Sequence, residues 1–385
     1  MRIGLISGEY PPMQGGVGAY TSILAQTLVR HGHTVGVLTT PPAAHASNDG
    51  VQVDPRMRSW NALTAPAAIG AWVRAFRPDV IDLQFQTAAY RMSALVHFLP
   101  DFLRATPFVT TFHDLRHPYL FPKAGKLRDA IVRRLATASD GVIVTNHEDA
   151  AQLDGLPCLR LIPIGSNILS ARPDPDTIAL FRQACGAGRQ DVVIAFFGLV
   201  NHSKGLDTLL HAVAELRDQG VPIRLALIGA VAGDSDPSNR AYIESIDTLI
   251  AQLALAPLIH RTGYLGEAEV AGYLAAADGV ALPFADGASY RRGSLMAAIR
   301  LGCAIVTTQP RVALPTFEDG VNLLLVPPND ASALQTALSQ IAHDQALRAR
   351  LKAGAAHLAA HFDWDQIADD TVRFFERVIA ERSRL

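Results

Sequence analysis

One structural plan is written twice in this chain, and that repetition limits the fold more than any other feature. The apolar run Ile3–Ile6 leads into the loop Pro11-Pro12-Met13-Gln14-Gly15-Gly16-Val17-Gly18. Tyr20, Ile23, Leu24, Thr27 and Leu28 follow at helical spacing, Gly32 stands where a C-terminal cap belongs, and a second run occupies Val35–Leu38. Past the midpoint, Val192–Phe197, the loop from Gly198 to Gly205, the helical set Leu206, Leu209, Leu210 and Val213, and Ile223–Ile228 repeat the plan. Short apolar runs alternating with 3.6-residue periodicity predict buried parallel strands covered by helices. Val80–Leu83, Phe108–Phe112, Val142–Val144 and Leu161–Pro163 are further strand candidates, and Ala138-Ser139-Asp140-Gly141-Val142 is echoed by Ala276-Ala277-Asp278-Gly279-Val280. Periodicity lapses after Gly165 into the turn-rich stretch Arg172-Pro173-Asp174-Pro175-Asp176. The expectation is two doubly wound α/β domains, residues 1–168 and 169–363, facing across a cleft, with a last helix at about 364–385 packing back on the first domain.

A length of 385 residues suits two such domains, and 49% hydrophobic against 18% charged residues leaves ample core and argues against a disordered scaffold. With 34 basic and 36 acidic residues the formal charge is −2, which gives nucleic acid nothing to bind by net charge. Cys158, Cys185 and Cys303 are odd in number and far apart, so neither a disulfide framework nor structural zinc is expected and a reducing cytoplasm fits. No signal-peptide core precedes Glu9, Pro11 and Pro12, and no apolar window reaches ~20 residues, so the expectation is a soluble protein, at most peripheral at the inner face of a membrane.

Several chemistries lack their residues. Gly15-Gly16-Val17-Gly18 is not a dinucleotide fingerprint, and Leu38 is followed by Thr39-Thr40-Pro41 with no carboxylate to hold a ribose before Asp49. Neither a Walker loop nor a Gly-x-Ser-x-Gly elbow occurs. The three Asp-x-Asp triplets, at 174–176, 234–236 and 363–365, fall in linker, loop and helix-start contexts where Asp serves turns and caps, so no metal site is expected.

Glu9-Tyr10-Pro11-Pro12 with Gly15-Gly16-Val17-Gly18-x-Tyr20, then His31-Gly32-His33-x-Val35, resembles the start of glycosyltransferase family four. The resemblance continues in family order through Thr111-Phe112-His113-Asp114, Ile162-Pro163-Ile164-Gly165, Phe197-Gly198 with Lys204-Gly205, and Asp319-Gly320-Val321-Asn322. It implies a GT-B protein with two Rossmann-like domains, the first on the acceptor side and the second binding a nucleotide sugar. Such enzymes move a sugar from a nucleoside diphosphate sugar to a hydroxyl acceptor with retention of configuration, and no further cofactor is implied. Lys204 is expected to bind the diphosphate, as a point charge beside a helix N-terminus. Gly15 and Gly16 are expected to let the backbone approach the donor, and a His at the position of His113 reaches the donor sugar in this family.

The family's Glu-x7-Glu pair is missing. The segment runs from Pro283 to Ala298; anchored on Asp286-Gly287 the second position is Ser294, and anchored backward from Gly302 the pair is Ser289 and Ala297. The family's Arg after Gly198 is replaced by Leu199. Arg291-Arg292-Gly293-Ser294 opens an apolar helical run, so two guanidiniums and a helix N-terminus form a replacement diphosphate site. His113 and Asp286 are the catalytic candidates. On the acceptor side, Gln84, Gln86 and Tyr90 are candidates for a sugar hydroxyl, and Lys123, Lys126, Arg128, Arg133 and Arg134 form a basic amphipathic helix suited to anionic headgroups or a lipid-linked acceptor. The main expectation is a metal-independent hexosyltransferase. A non-catalytic GT-B binding or regulatory partner and a nucleotide-sugar epimerase are the alternatives.

Overall fold

The structure is a computed structural model whose described residues are 1–13, 15–43, 49–115, 125–229 and 237–384, with side chains omitted at 125–128 and 237–239. The chain divides into two compact units, one formed by Met1–Asn167 with Asp363–Leu385 and the other by Ile168–Phe362.

Unit one carries strands β1 (Arg2–Ser7), β2 (Thr34–Leu38), β3 (Gln52–Asp54), β4 (Val80–Phe85), β5 (Phe108–Phe112), β6 (Gly141–Val144) and β7 (Leu159–Leu161). They form one sheet in the order β3-β2-β1-β4-β5-β6-β7, and every pairing is parallel. Both faces are covered, which is why β1, β4 and β5 are almost wholly buried and read as continuous apolar runs. On one face lies the helix Gly16–Arg30, and beside it the C-terminal helix Trp364–Arg382. That last helix buries Trp364, Ile367, Phe374, Phe375 and Val378 in the same cluster as Ile3, Leu5, Val35 and Val37. Each such side chain contributes ~1.5 to 3 kcal/mol, whereas the exposed Arg30–Asp365 pair contributes at most ~1 kcal/mol, so apolar burial holds the helix in place. Trp364 also donates from Nε1 to the Ser166 carbonyl at 2.7 Å, tying the start of the helix to the end of the first segment.

Unit two has β8 (Val192–Phe197), β9 (Ile223–Ile228), β10 (Ile259–Arg261), β11 (Gly279–Leu282), β12 (Ile305–Thr308) and β13 (Leu324–Val326), again all parallel, in the order β10-β9-β8-β11-β12-β13. The Asp-Gly echo has a shared physical role. Asp140 accepts from the Phe108 N–H at 2.8 Å, Asp278 accepts from the Val193 N–H at 2.8 Å, and each also pairs with an arginine, Arg382 or Arg182. The turn-rich stretch after Gly165 is not all linker: Asp174 accepts from the Thr177 N–H at 2.9 Å and caps the helix Pro175–Ala184, with Pro175 at its first position. Asp363 caps the C-terminal helix in the same way, and Asp234–Asp236 lies outside the described residues.

Candidate functional site

In each sheet the strand order reverses at one pair, β1 beside β4 in unit one and β8 beside β11 in unit two. At such a switch point the connections leave toward opposite faces and open a crevice at the carboxyl ends of the strands.

In unit two, the crevice is built by the loops after β8 and β11. Gly205 has φ +65°, and a Cβ there would run into the Pro283 carbonyl, so glycine lets the two loops touch. The Ala285 N–H donates to the Ser203 carbonyl at 3.1 Å, which joins them further. Lys204 is thereby carried across to the first turn of the helix Gly293–Arg300, where its Nζ donates to Ser294 Oγ at 3.2 Å. Ser294, the position reached by counting from Asp286, therefore lies at the site. Ala297 is fully buried in that helix, so the register counted back from Gly302 gives a core position.

Phe284 is buried and forms the floor beneath two cations, the Arg292 guanidinium at 4.6 Å and the Lys204 ammonium at 5.1 Å from its ring centre. Arg292 also donates to Ser203 Oγ at 3.3 Å and makes a short ion pair with Asp286, while Arg291 lies 3.9 Å from the same carboxylate. Asp286 thus meets two guanidiniums, an arrangement that orients cations and ill suits a free base. Burial, then repulsion from Arg292, push Lys204 down to about 7 against the opposing pull of Asp286. A desolvated cation beside a helix N-terminus and two arginines forms a strong place for an oxyanion.

In unit one, the first helix begins differently from the expectation. Glu9 Oε1 accepts from the N–H groups of Val17 at 3.0 Å and Gly18 at 3.1 Å, so an internal carboxylate already satisfies the donors at that helix start. A Cβ at Gly15 would collide with this Glu9 carboxylate, and one at Gly16 would meet nothing within 4 Å. The need for glycine at 15 comes from Glu9, and Gly16 has no steric need for it.

The acceptor candidates divide. Tyr90 is fully buried, its hydroxyl 2.9 Å from the Ile6 carbonyl and 3.0 Å from that of Gln84, so it is a core residue and not a sugar contact. Strand β4 runs on to Phe85, which places Gln84 inside the sheet as well. Gln86 is half-buried just past the strand end. Arg134 is tied down, donating to Asp101 at 2.6 Å and to the His97 carbonyl at 3.0 Å with its guanidinium over Phe98, so it does not reach a headgroup; Arg133 is exposed. Lys123 and the side chains of Lys126 and Arg128 lie outside the described residues. No helix among the described residues is long and apolar enough to cross a membrane.

His113 follows β5, and its Nε2 lies 2.9 Å from Gln84 Oε1. Tyr20 packs edge-on against the ring at 4.7 Å, and burial lowers the imidazole to about 3, so the ring is neutral. The sequence reading missed Asp82, fully buried in the middle of β4 and bonded to Gln84 and Thr111. A signal was present: Asp82 and Gln84 are polar residues two apart in the otherwise apolar β4, and therefore share a face.

Residues 15–165 match the family description "Glycosyl transferase 4-like domain", and residues 191–344 match "Glycosyl transferases group 1". The D-inositol 3-phosphate glycosyltransferase of Corynebacterium jeikeium is 26% identical over 98% of this chain and 97% of its own. Among solved structures, sucrose-phosphate synthase from Thermosynechococcus elongatus superposes with a TM-score of 0.79 at 21% identity, covering 99% of both chains. Anabaena HepE in complex with UDP and glucose gives 0.76 at 19% identity, over 98% of this chain and 99% of that one. Two matching family descriptions over most of the chain, on two parallel-sheet units, place this protein among the family-four-like glycosyltransferases of GT-B fold.

Proposed function

We propose that the enzyme transfers a hexose-type sugar from a nucleoside diphosphate sugar to a hydroxyl acceptor, without a metal ion and with retention at the anomeric carbon. The observation that carries this reading is the convergence of Lys204, Arg292 and Ser294 at the start of the helix Gly293–Arg300. Transfer breaks the bond between the anomeric carbon and the diphosphate oxygen, which leaves with the electron pair. The acceptor oxygen forms the new bond and gives its proton to the departing diphosphate oxygen. Cations and N–H donors aimed at the leaving oxygens favour that step by stabilising the charge where it develops. Lys204 and Arg292 are the principal ligands of the diphosphate in this reading, Gly293 and Ser294 contribute the helix start, and Arg291 with Asp286 sets the guanidinium positions. Complexes of the similarly folded HepE with UDP and UDP-glucose favour a uridine donor as the first to try.

Incubation of the purified protein with UDP-glucose and GDP-mannose, with and without simple alcohol acceptors, tests the proposal. Release of nucleoside diphosphate, with NMR of the anomeric proton of the product, would support it. Absence of turnover despite diphosphate binding would make the non-catalytic alternative the better account, and epimerised sugar without acceptor would identify an epimerase.

A further inference from the structure

Unit one contains a chain of buried polar contacts that ends at His113 and determines which ring nitrogen carries the proton. Asp82 Oδ1 and Oδ2 lie 2.9 and 3.0 Å from Thr111 Oγ1, whose hydroxyl donates to them. Asp82 Oδ2 also accepts from Gln84 Nε2 at 2.6 Å. Above about pH 7, where Asp82 is ionised, its carboxylate can only accept, so the amide NH2 of Gln84 must face it. The amide oxygen then faces the other way, 2.9 Å from His113 Nε2, and an oxygen there requires Nε2 to carry the hydrogen. A neutral imidazole has one N–H, which leaves a lone pair on Nδ1. Nδ1 makes no hydrogen bond among the described residues. Tyr20, edge-on at 4.7 Å, holds the ring plane.

We propose that Asp82 and Gln84 are positioning residues that lock His113 as the Nε2–H tautomer, so that Nδ1 serves as a fixed acceptor for a substrate hydroxyl. The role of Nδ1 toward substrate rests on the glycosyltransferase reading above, whereas the tautomer is a property of the free protein. A polar residue in the centre of a parallel sheet is costly unless bonded, and here Asp82 is bonded by Thr111 and by Gln84, whose other end meets the His113 ring. The groups facing Asp82 from neighbouring elements are Tyr20 on the first helix, Tyr90 on the turn after β4, and Thr111 on β5; burial keeps both phenols protonated.

The test is ligand-free NMR of 15N-histidine-labelled protein at pH 8.5, where Asp82 is ionised, with the His113 signals identified by their loss in His113→Gln. The expected result is a pyridine-like shift for Nδ1 and a pyrrole-like shift for Nε2, in one fixed tautomer. In Gln84→Leu the two shifts should move toward averaged values. A protonated Nδ1 in the wild type would overturn the proposal, and because that measurement needs no variant, it stands even if Gln84→Leu does not fold. Shifts unchanged in a folded Gln84→Leu would overturn it equally. If the tautomer is as stated but neither nucleotide sugar is turned over, the functional reading fails and the relay remains. If both hold, Gln84→Leu should lower kcat roughly tenfold or more while nucleoside diphosphate binding changes less than twofold.

Discussion

The two switch points meet the same problem, presenting polar groups at the end of an apolar sheet, with opposite chemistry. In unit two the solution is charge: Lys204, Arg291, Arg292 and Asp286 lie together at a part-buried surface, with Phe284 beneath Lys204 and Arg292. In unit one it is a relay from a single buried carboxylate: Thr111 and Gln84 bond Asp82, and Gln84 passes the contact on to His113. Charge suits an oxyanion, which needs compensation more than direction. A relay suits a hydroxyl, which needs a lone pair at a defined angle.

The sharpest way to break this contrast is to remove a cation. Lys204→Ala and Arg292→Ala should each weaken nucleoside diphosphate binding roughly tenfold to a hundredfold, the range expected when a charge-assisted contact of ~1.5 to 3 kcal/mol is lost. Binding of the nucleoside without phosphates should hardly change, and isothermal calorimetry can read both. Normal diphosphate binding in both folded variants would show that the cations serve only the fold.

A smaller effect is expected from pH. With Lys204 lowered to about 7 and a bound diphosphate holding its proton in place, affinity should fall as pH rises from 7 to 8.5, by at most about tenfold per unit, with proton uptake on binding. In Lys204→Ala the slope should vanish. A wild-type affinity that is flat over that range would show Lys204 to be charged already in the free protein.

The relay has its own pH signature, seen in stability. Burial raises Asp82 to about 7, so the unfolded chain releases this proton first. Its contribution is fully present below the unfolded value and is lost as pH rises through about 7. His113 has the opposite sign: lowered to about 3, it stabilises above its ordinary value and is lost as pH falls toward 3. Thermal melts of Asp82→Asn against wild type should show a difference that shifts in favour of the variant between pH 5 and 8. A difference constant across that range would mean that Asp82 does not titrate as its surroundings demand. The smallest effect is expected from EDTA, which should leave diphosphate binding by unit two unchanged; loss on chelation and recovery with Mg²⁺ would replace the cation site with a metal.

The layout of both sheets was legible from apolar runs, because parallel strands buried on both faces leave no alternation to misread. Short edge strands such as β3 and β10, three residues each, carry too few apolar residues to stand out. Lys204 and Ser294 were legible one by one, but their contact depends on Gly205 passing under the Pro283 carbonyl, a relation between residues distant in sequence. Tyr90 looked like a loop residue because β4 seemed to end at Leu83; two more strand residues and a tight turn fold it into the core. Glu9 was read as part of a motif, and nothing in the order of residues says that its carboxylate turns onto the helix start eight residues later.

The return of the C-terminal helix to unit one makes the two units unequal as pieces of a gene. Unit two is one uninterrupted stretch, Ile168–Phe362, whereas unit one is assembled from both ends of the chain. Expressed by itself, the stretch from 168 to 362 keeps its whole sheet and every cation of its switch point. A polypeptide truncated after residue 167 would instead leave uncovered the apolar cluster of Ile3, Leu5, Val109 and Ile143 that Trp364, Ile367, Phe374 and Phe375 complete, and should aggregate unless the final helix is supplied in trans or spliced on through a short linker.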